Sequence, residues 1–311
     1  MDTLSFSQQI KNKALELGFD ACGISGIEEL SKEKSYIETW LSKDFHGDMA
    51  YMARNLDKRT DPSKLVEGAL SVISVLLNYY PAKQLHPQSY YKISKYALGI
   101  DYHYIIKDKL KELMAFIETK KPNTVMRAFT DSAPILDKSW ALKSGLGWMG
   151  KNTLLLNKKL GSFFFIGEII VGVNLHNDSP LNASYCGTCT KCVDACPTGA
   201  LLGNYTMDAT QCIAYLNIES KSEIPDDLKP KLNNWIFGCD ICQDVCPWNS
   251  KATPNTIANF DIRNELALMK KEDWENLQKP QFKRLFKSTP VQRSGYKRLK
   301  MVIDICKNNN L

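Results

Sequence analysis

Apolar residues recur every three to four positions at Phe6, Ile10, Ala14 and Leu17, which gives one helical face a core to bury and makes Gly18 a natural stop. The pattern changes at Ser71-Val-Ile-Ser-Val-Leu-Leu77, a short β-branched run ending near Tyr79-Tyr80-Pro81, which predicts a buried strand. Helical periodicity resumes from Tyr104 to Glu118, with Pro122 beyond it. Thr124 to Phe129 reads as the next strand, and Ile135 to Lys143 as a helix ended by Gly145. Thr153 to Leu156, the turn Asn157-Lys-Lys-Leu-Gly161 and Ser162 to Val171 read as a hairpin. The alternation predicts an α/β domain over residues 1–175, with a mixed sheet because of that hairpin. Periodicity is lost over 176–250, where short segments, turn residues and cysteines dominate. Residues 251–311 read as a basic helical tail, with eight Lys/Arg and no Asp/Glu between Lys279 and Lys300.

Composition adds limits. The 311 residues are 44% hydrophobic and 24% charged, which excludes a disordered or fibrous chain and allows two cores. The formal charge of +6 hints at an acidic partner. Met1 to Lys11 has no basic leader, long apolar stretch or twin arginine, so a cytoplasmic protein is expected. No run approaches the ~18 apolar residues of a membrane span. The richest, Phe163 to Val173, is shorter and carries Glu168.

Eight of the ten cysteines fall within residues 186–246. In a reducing compartment such a cluster points to metal rather than to disulfides. Cys186-x2-Cys189-x2-Cys192-x3-Cys196-Pro197 matches the ferredoxin run for a 4Fe–4S cluster, whose fourth cysteine serves the other cluster in two-cluster proteins. The second run, Cys239-x2-Cys242-x3-Cys246-Pro247, lacks a cysteine at Ile236, and Cys212 is the available replacement. One cluster then takes Cys186, Cys189, Cys192 and Cys246, and the other Cys196, Cys212, Cys239 and Cys242. Two four-cysteine zinc sites are the competing reading. Zinc calls for neither the third cysteine at the next x2 step nor the repeated Cys-Pro. Cys22 and Cys306 read as ordinary buried thiols.

Clusters move single electrons, so the group they reduce must bind in the first 175 residues. Gly145-Leu-Gly-Trp-Met-Gly150-Lys151-Asn152-Thr153 stops short of a phosphate-binding loop. Asn152 replaces the magnesium-binding hydroxyl, and the helix-then-strand context is reversed. The segment is either a turn entering a hairpin or a backbone surface against which a planar cofactor lies closely. Asp131 ends a strand before a helix, where capping and catalysis are both at home. His103, in Asp101-Tyr102-His103, begins a cobalamin-ligand signature that Ile106 breaks, so it reads as a partly exposed helical side chain rather than a cobalt ligand.

Taken together, His46-Gly-Asp-Met-Ala-Tyr-Met52, Tyr96 to His103, Asp131-Ser-Ala-Pro-Ile-Leu-Asp137, Gly145 to Asn152, Gly161 to Glu168 and Gly238-Cys-Asp-Ile-Cys-Gln-Asp-Val-Cys-Pro-Trp-Asn249 resemble the epoxyqueuosine reductase family from about residue 5 to residue 300. The resemblance implies a nitroreductase-like domain holding cobalamin without a protein histidine on cobalt. It also implies a ferredoxin-like α+β domain with two 4Fe–4S clusters, a tRNA substrate carrying epoxyqueuosine at the wobble position, and an external low-potential electron donor. It places the general acid on Asp131 and cobalamin contacts on Arg54, Asp131, Lys151, Asn152, Thr153 and Leu155, with Asp240 beside the second cluster. A monomer is expected. The C-terminal helical-repeat extension of longer members has no counterpart here. The basic stretch 279–300, with Phe282, Phe286 and Tyr296 interleaved, is a candidate for RNA backbone contact, and a solvated basic helix is the competing reading. The alternatives are a reductive dehalogenase acting on a small molecule, an electron carrier without catalysis, and a flavin in place of cobalamin.

Overall fold

Helix Thr3–Glu16 buries Phe6, Ile10 and Ala14 on one face, and the chain reverses at Gly18, whose φ of +84° suits a residue without a Cβ. This computed structural model describes residues 3–181 and 183–309; Met1 and Asp2, part of the leader reading above, lie outside the described residues.

The central sheet has the order β1 (Ala21–Gly26), β2 (Ser71–Asn78), β7 (Phe164–Val171), β4 (Met126–Phe129), with every neighbour antiparallel. All eight positions of β2 are buried, because both faces of the sheet are covered. Ile73, Val75 and Leu77 meet the helices Thr3–Glu16 and Tyr102–Lys120. On the opposite face Val72 meets Trp140 of the helix Asp137–Lys143, with Phe129 and Ile170. Two-sided burial is the physical reason for the unbroken apolar run.

The hairpin expectation is corrected. β6 (Leu155–Leu156) pairs back with β5 (Trp148–Met149), while β7 inserts between β2 and β4. Asn157 and Gly161 form one isolated bridge that closes the turn. Both edges of β7 are satisfied in the central sheet, so it has none to offer β6. Antiparallel and parallel pairing both occur in the described residues, as expected, but in separate sheets. The parallel pair joins β3 (Lys92–Ile93) to β8 (Trp235–Phe237).

That pair belongs to a second core in which Tyr91, Ile93, Leu216 and Trp235 to Phe237 pack with Trp274, Phe282, Phe286, Leu299, Val302 and Ile303. This core crosses the boundaries at 175 and 250, joining the segment after β2, the cysteine region and the tail. Phe282 and Phe286 are 4% and 0% exposed. The expectation that they meet RNA is therefore corrected: they sit four residues apart, on the inward face of the tail. Tyr296 is half-buried and donates to the Leu277 carbonyl (3.1 Å). Among the described residues, no helix is long and apolar enough to cross a membrane.

Candidate active site

β4 ends at Phe129, and the two residues after it shape the site. Thr130 Oγ1 donates to the Ile166 carbonyl of β7 (2.9 Å), and Asp131 turns out of the sheet with φ +55°. The next helix starts at Asp137 with Leu136 as its cap, so Asp131 caps nothing. A non-glycine residue held in the left-handed region is a conformation the surroundings must enforce. The carboxylate is 58% exposed and projects into a cavity of about 800 Å³.

Asp131 has partners from the helix Tyr102–Lys120. Tyr102 donates its hydroxyl to Asp131 Oδ2 (2.5 Å). Its ring is stacked between Phe165 (centroids 4.1 Å apart) and His103 (4.3 Å). Burial, then the Asp131 charge, pushes the Tyr102 phenol far up, so it remains a donor. His103 Nε2 lies 3.9 Å from Asp131 Oδ2, and its Nδ1 is 2.7 Å from Asp101 Oδ1. Arg293, on the wall of the same cavity, sets a positive charge against Tyr102, Asp131 and Asp101.

Beneath this layer Glu168 of β7 is fully buried and meets Asp137. Burial, then Asp137, raises the Glu168 carboxyl well above its ordinary range. The protonated form of Glu168 is the state such burial favours.

A second, mostly apolar cavity of about 590 Å³ is lined by Trp40, Met49, Leu142 and Met149, and shares Tyr51, Arg59, Asp131, Asp137 and Lys138 with the first. Arg59 Nε and Asp137 Oδ1 are buried there without a hydrogen-bond partner. Buried polar atoms of that kind call for a ligand or water.

The cysteines approach the same cavity from the other side. Burial pushes the Cys246 thiol up, and Cys186 and Cys189 crowd it; Cys192 is likewise raised by burial and crowded by Cys246 and Cys186. Burial also raises Cys239 and Cys242. Cys212 and Cys196 crowd Cys239, while Cys239 and Cys212 crowd Cys242, which has Cys192 as a further neighbour. Thiols of both runs are thus electrostatic neighbours, Cys242 and Cys192 among them. Among the described residues no three His, Cys, Asp or Glu side chains converge tightly enough for a single metal ion. An iron–sulfur cube spreads its thiolates wider than a zinc ion with 2.3 Å bonds would. Cys239 and Gly238 line the first cavity, as Asp131 does.

Buried amides fix this arrangement. Asn217 accepts the Gly238 N–H (2.9 Å) and donates to the Gly238 carbonyl (3.0 Å). Gly238 has φ +66°, and a Cβ there would come 2.5 Å from Ser94 Cβ. Asn249 accepts the Ser162 N–H (2.7 Å) and donates to Ser162 Oγ (2.9 Å) and the Gln243 carbonyl (2.8 Å). Gln243 Nε2 donates to the Ser162 carbonyl (3.1 Å) and reaches the Tyr79 hydroxyl (3.3 Å). These amides, together with Tyr102, His103 and Asp101, were not singled out as site residues from the sequence. Their partners lie far along the chain, and only the clustering of Asp101, Tyr102 and His103 gave a local signal.

Of the expected cofactor contacts, Arg54 and Asp131 line the first cavity and Asp131 and Thr153 the second. Lys151, Asn152 and Leu155 are elsewhere. Lys151 Nζ donates to the carbonyls of Gly187 (2.8 Å) and Cys189 (3.0 Å), Asn152 Nδ2 is 3.5 Å from the Cys242 carbonyl, and Leu155 packs with Leu76, Leu146 and Phe164. Leu154 takes the cavity position instead. Asp240 is fully buried, held by the Ser94 hydroxyl, the Lys95 N–H (2.8 Å) and Lys95 Nζ (3.4 Å). Gly145 and Gly147 pack against the Ser179 and Leu156 carbonyls, so the glycine-rich segment follows the turn reading at both.

Residues 59–132 match the family model for epoxyqueuosine reductase QueG, DUF1730, and residues 185–249 the model for a 4Fe-4S double cluster binding domain. The chain is 52% identical over 302 residues to the epoxyqueuosine reductase of Leadbetterella byssophila, covering 97% of this chain and 98% of that one. It superposes on the epoxyqueuosine reductase of Streptococcus thermophilus with a TM-score of 0.88 at 28% identity, covering 99% of this chain and 82% of that one. A crystal structure of epoxyqueuosine reductase with an epoxyqueuosine-modified tRNA-Tyr stem loop gives a TM-score of 0.89 at 25% identity, over 98% of this chain and 81% of that one.

Proposed function

The chain belongs to the epoxyqueuosine reductase family, and on that premise we propose how its residues remove the epoxide oxygen of epoxyqueuosine in tRNA to give queuosine. Two electrons and two protons convert the epoxide to an alkene and water. One observation carries the reading: Asp131 and Cys239 line a single cavity. The near full-length identity to a reductase of this name favours it over dehalogenation of a small molecule.

Cys186, Cys189, Cys192 and Cys246 would hold one 4Fe–4S cluster, and Cys196, Cys212, Cys239 and Cys242 the other. Cys239 of the second set lines the cavity and no cysteine of the first does, so an external low-potential donor would deliver electrons to the first. Cobalamin fits the paired cavities. Both are lined mainly by apolar surface, the larger with the greater polar share, and the unpartnered Arg59 Nε and Asp137 Oδ1 suit the amide-bearing rim of a corrin. When bound, this cofactor supplies a cobalt centre able to turn single electrons into a two-electron C–O opening. Arg54, Thr153, Leu154 and Asp131 would face it, with Lys151, Asn152, Leu155 and Asp240 bracing the loops behind. A nitroreductase-like ancestry of the 1–175 region belongs to the same proposal.

Asp131 protonates the departing oxygen, which is a poor leaving group as alkoxide. Asp131 is exposed in the open cavity, where cofactor and substrate would cover it. Tyr102, locked between two rings, fixes the carboxyl by donating to Oδ2. The modified base leaves the anticodon stack to reach the cavity, at little cost in a single-stranded loop. Lys283, Arg284 and Lys287, exposed on the tail, face solvent where tRNA phosphates can reach them. The enzyme acts as a monomer in the cytoplasm.

Asp131→Asn tests the reading. The variant is expected to keep its iron, corrin absorbance and tRNA affinity while turnover drops on the order of 10²–10⁴-fold. Wild-type turnover would remove Asp131 from the reaction.

A further inference from the structure

Removing an epoxide oxygen as water forms two O–H bonds, and Asp131 holds one acidic proton. The geometry points to the Asp101–His103 pair as the positioning and proton-relay unit that recharges Asp131 for the second. The inference rests on the reading of Asp131 above.

His103 occupies the first turn of the helix Tyr102–Lys120, and Asp101 is the cap of that helix. The Asp101 carboxylate accepts the His103 backbone N–H (3.0 Å) and also meets the same residue's ring at Nδ1 (2.7 Å). One carboxylate therefore fixes both the helix start and the imidazole. Stacking on Tyr102 fixes the plane of the ring. With Nδ1–H donated to Asp101, Nε2 is directed at Asp131 Oδ2, 3.9 Å away. That gap exceeds a hydrogen bond and is closed by rotation of the exposed Asp131 side chain or by one water. His103 is 14% exposed, enough to exchange protons with solvent, while Asp131 lies under whatever fills the cavity.

Asp131 gives its proton to the departing oxygen and becomes a carboxylate. Imidazolium His103 passes its Nε2 proton to that carboxylate and is left neutral, with Nδ1–H still on Asp101. Asp131 then donates the second proton, water leaves, and two protons taken from solvent through His103 restore the acid form of Asp131 and the imidazolium. The charged and titratable groups around the ring are Asp101 and Tyr102 on its own helix, Asp131 from the loop after β4 and Arg293 from the tail. Lys107, one turn along, is 3.5 Å from the Ser132 hydroxyl on the same loop.

The test compares His103→Gln, Asp101→Asn and Asp131→Asn in iron-replete, cobalamin-loaded enzyme with epoxyqueuosine-bearing anticodon stem loop. His103→Gln is expected to fold normally, keep its iron and bind RNA, yet lose about 10- to 100-fold in turnover. It should also lose the limb of the wild-type pH profile along which rate falls as imidazole deprotonates, and added imidazole should restore part of the rate. Nitrogen NMR of the unloaded protein gives a readout independent of activity: the His103 titration should move to lower pH in both Asp101→Asn and Asp131→Asn, since each removes a facing anion. A His103→Gln enzyme with wild-type rate and pH profile, or a His103 titration indifferent to Asp131→Asn, overturns the relay. Full turnover by Asp131→Asn overturns the reading of Asp131 instead, so the two failures are distinguishable.

Discussion

Replacing Asn249 by alanine should loosen the bond between the cysteine region and the cavity. Its amide is 8% exposed and serves three partners at once: the Ser162 N–H, the Ser162 hydroxyl and the Gln243 carbonyl. Each buried polar group left without a partner costs about 1–3 kcal/mol. Ser162 Oγ keeps Gln243 Nε2 at 3.1 Å, so two groups, the Ser162 N–H and the Gln243 carbonyl, carry most of the penalty. A water entering the vacated space recovers part of it. The expected loss is about 2–4 kcal/mol of stability, read as a lower urea midpoint with unchanged slope. Gly161 offers a check from the opposite side, because a Cβ there would collide with Asn249 Oδ1. Asn249→Ala and Gly161→Ala break the same contact, so the double variant should cost clearly less than the sum of the two. An Asn249→Ala protein within 0.5 kcal/mol of wild type, or strict additivity with Gly161→Ala, would refute the reasoning.

Glu168 carries a pH signature. Its folded-state carboxyl is raised by burial and by Asp137, so the stability linked to its proton is fully present below the ordinary carboxylate range and is lost as pH rises through the raised value. Glu168→Gln should flatten the fall of melting temperature towards alkaline pH, and an unchanged slope would contradict the raised Glu168 carboxyl. Cys212→Ala should lose about half of the iron and acid-labile sulfide while keeping the cluster held by Cys186, Cys189, Cys192 and Cys246, checked by iron analysis and low-temperature EPR. Reversing Lys283 and Arg284 to Glu should weaken tRNA binding, more at low salt, with a shallower salt dependence in filter-binding titrations. Arg284 already pairs with Glu265 at 2.5 Å, so Lys283 should account for most of the effect.

Hydrophobic period located β2, β4 and the helices Thr3–Glu16, Tyr102–Lys120 and Asp137–Lys143 because each is read from burial along its own length. The same signal could not choose partners. The apolar runs of β6 and β7 fit a hairpin as well as they fit two sheets, and the choice depends on which edges β2 and β4 leave open. Cysteine spacing was more informative, since ligation is set by short intervals and by the count of thiols, and Cys212 was placed by elimination. The tail misled through interleaved charge and aromatics, although the four-residue step from Phe282 to Phe286 already marked an inward face. The supports of Asp131 and of the cysteine loops were beyond reach, because they join residues such as Ser162 and Asn249, or Asn217 and Gly238, that only folding brings together.

The account stands or falls on the chemistry of the cavity that Asp131 and Cys239 share. Protein purified without oxygen, reconstituted with iron, sulfide and cobalamin and supplied with a low-potential reductant, is to be incubated with tRNA carrying epoxyqueuosine, and the digested nucleosides weighed by mass spectrometry. Conversion to queuosine, with the loss of one oxygen atom, is the predicted result. Unchanged epoxyqueuosine in a preparation whose spectra show both clusters reduced and the corrin bound would contradict it.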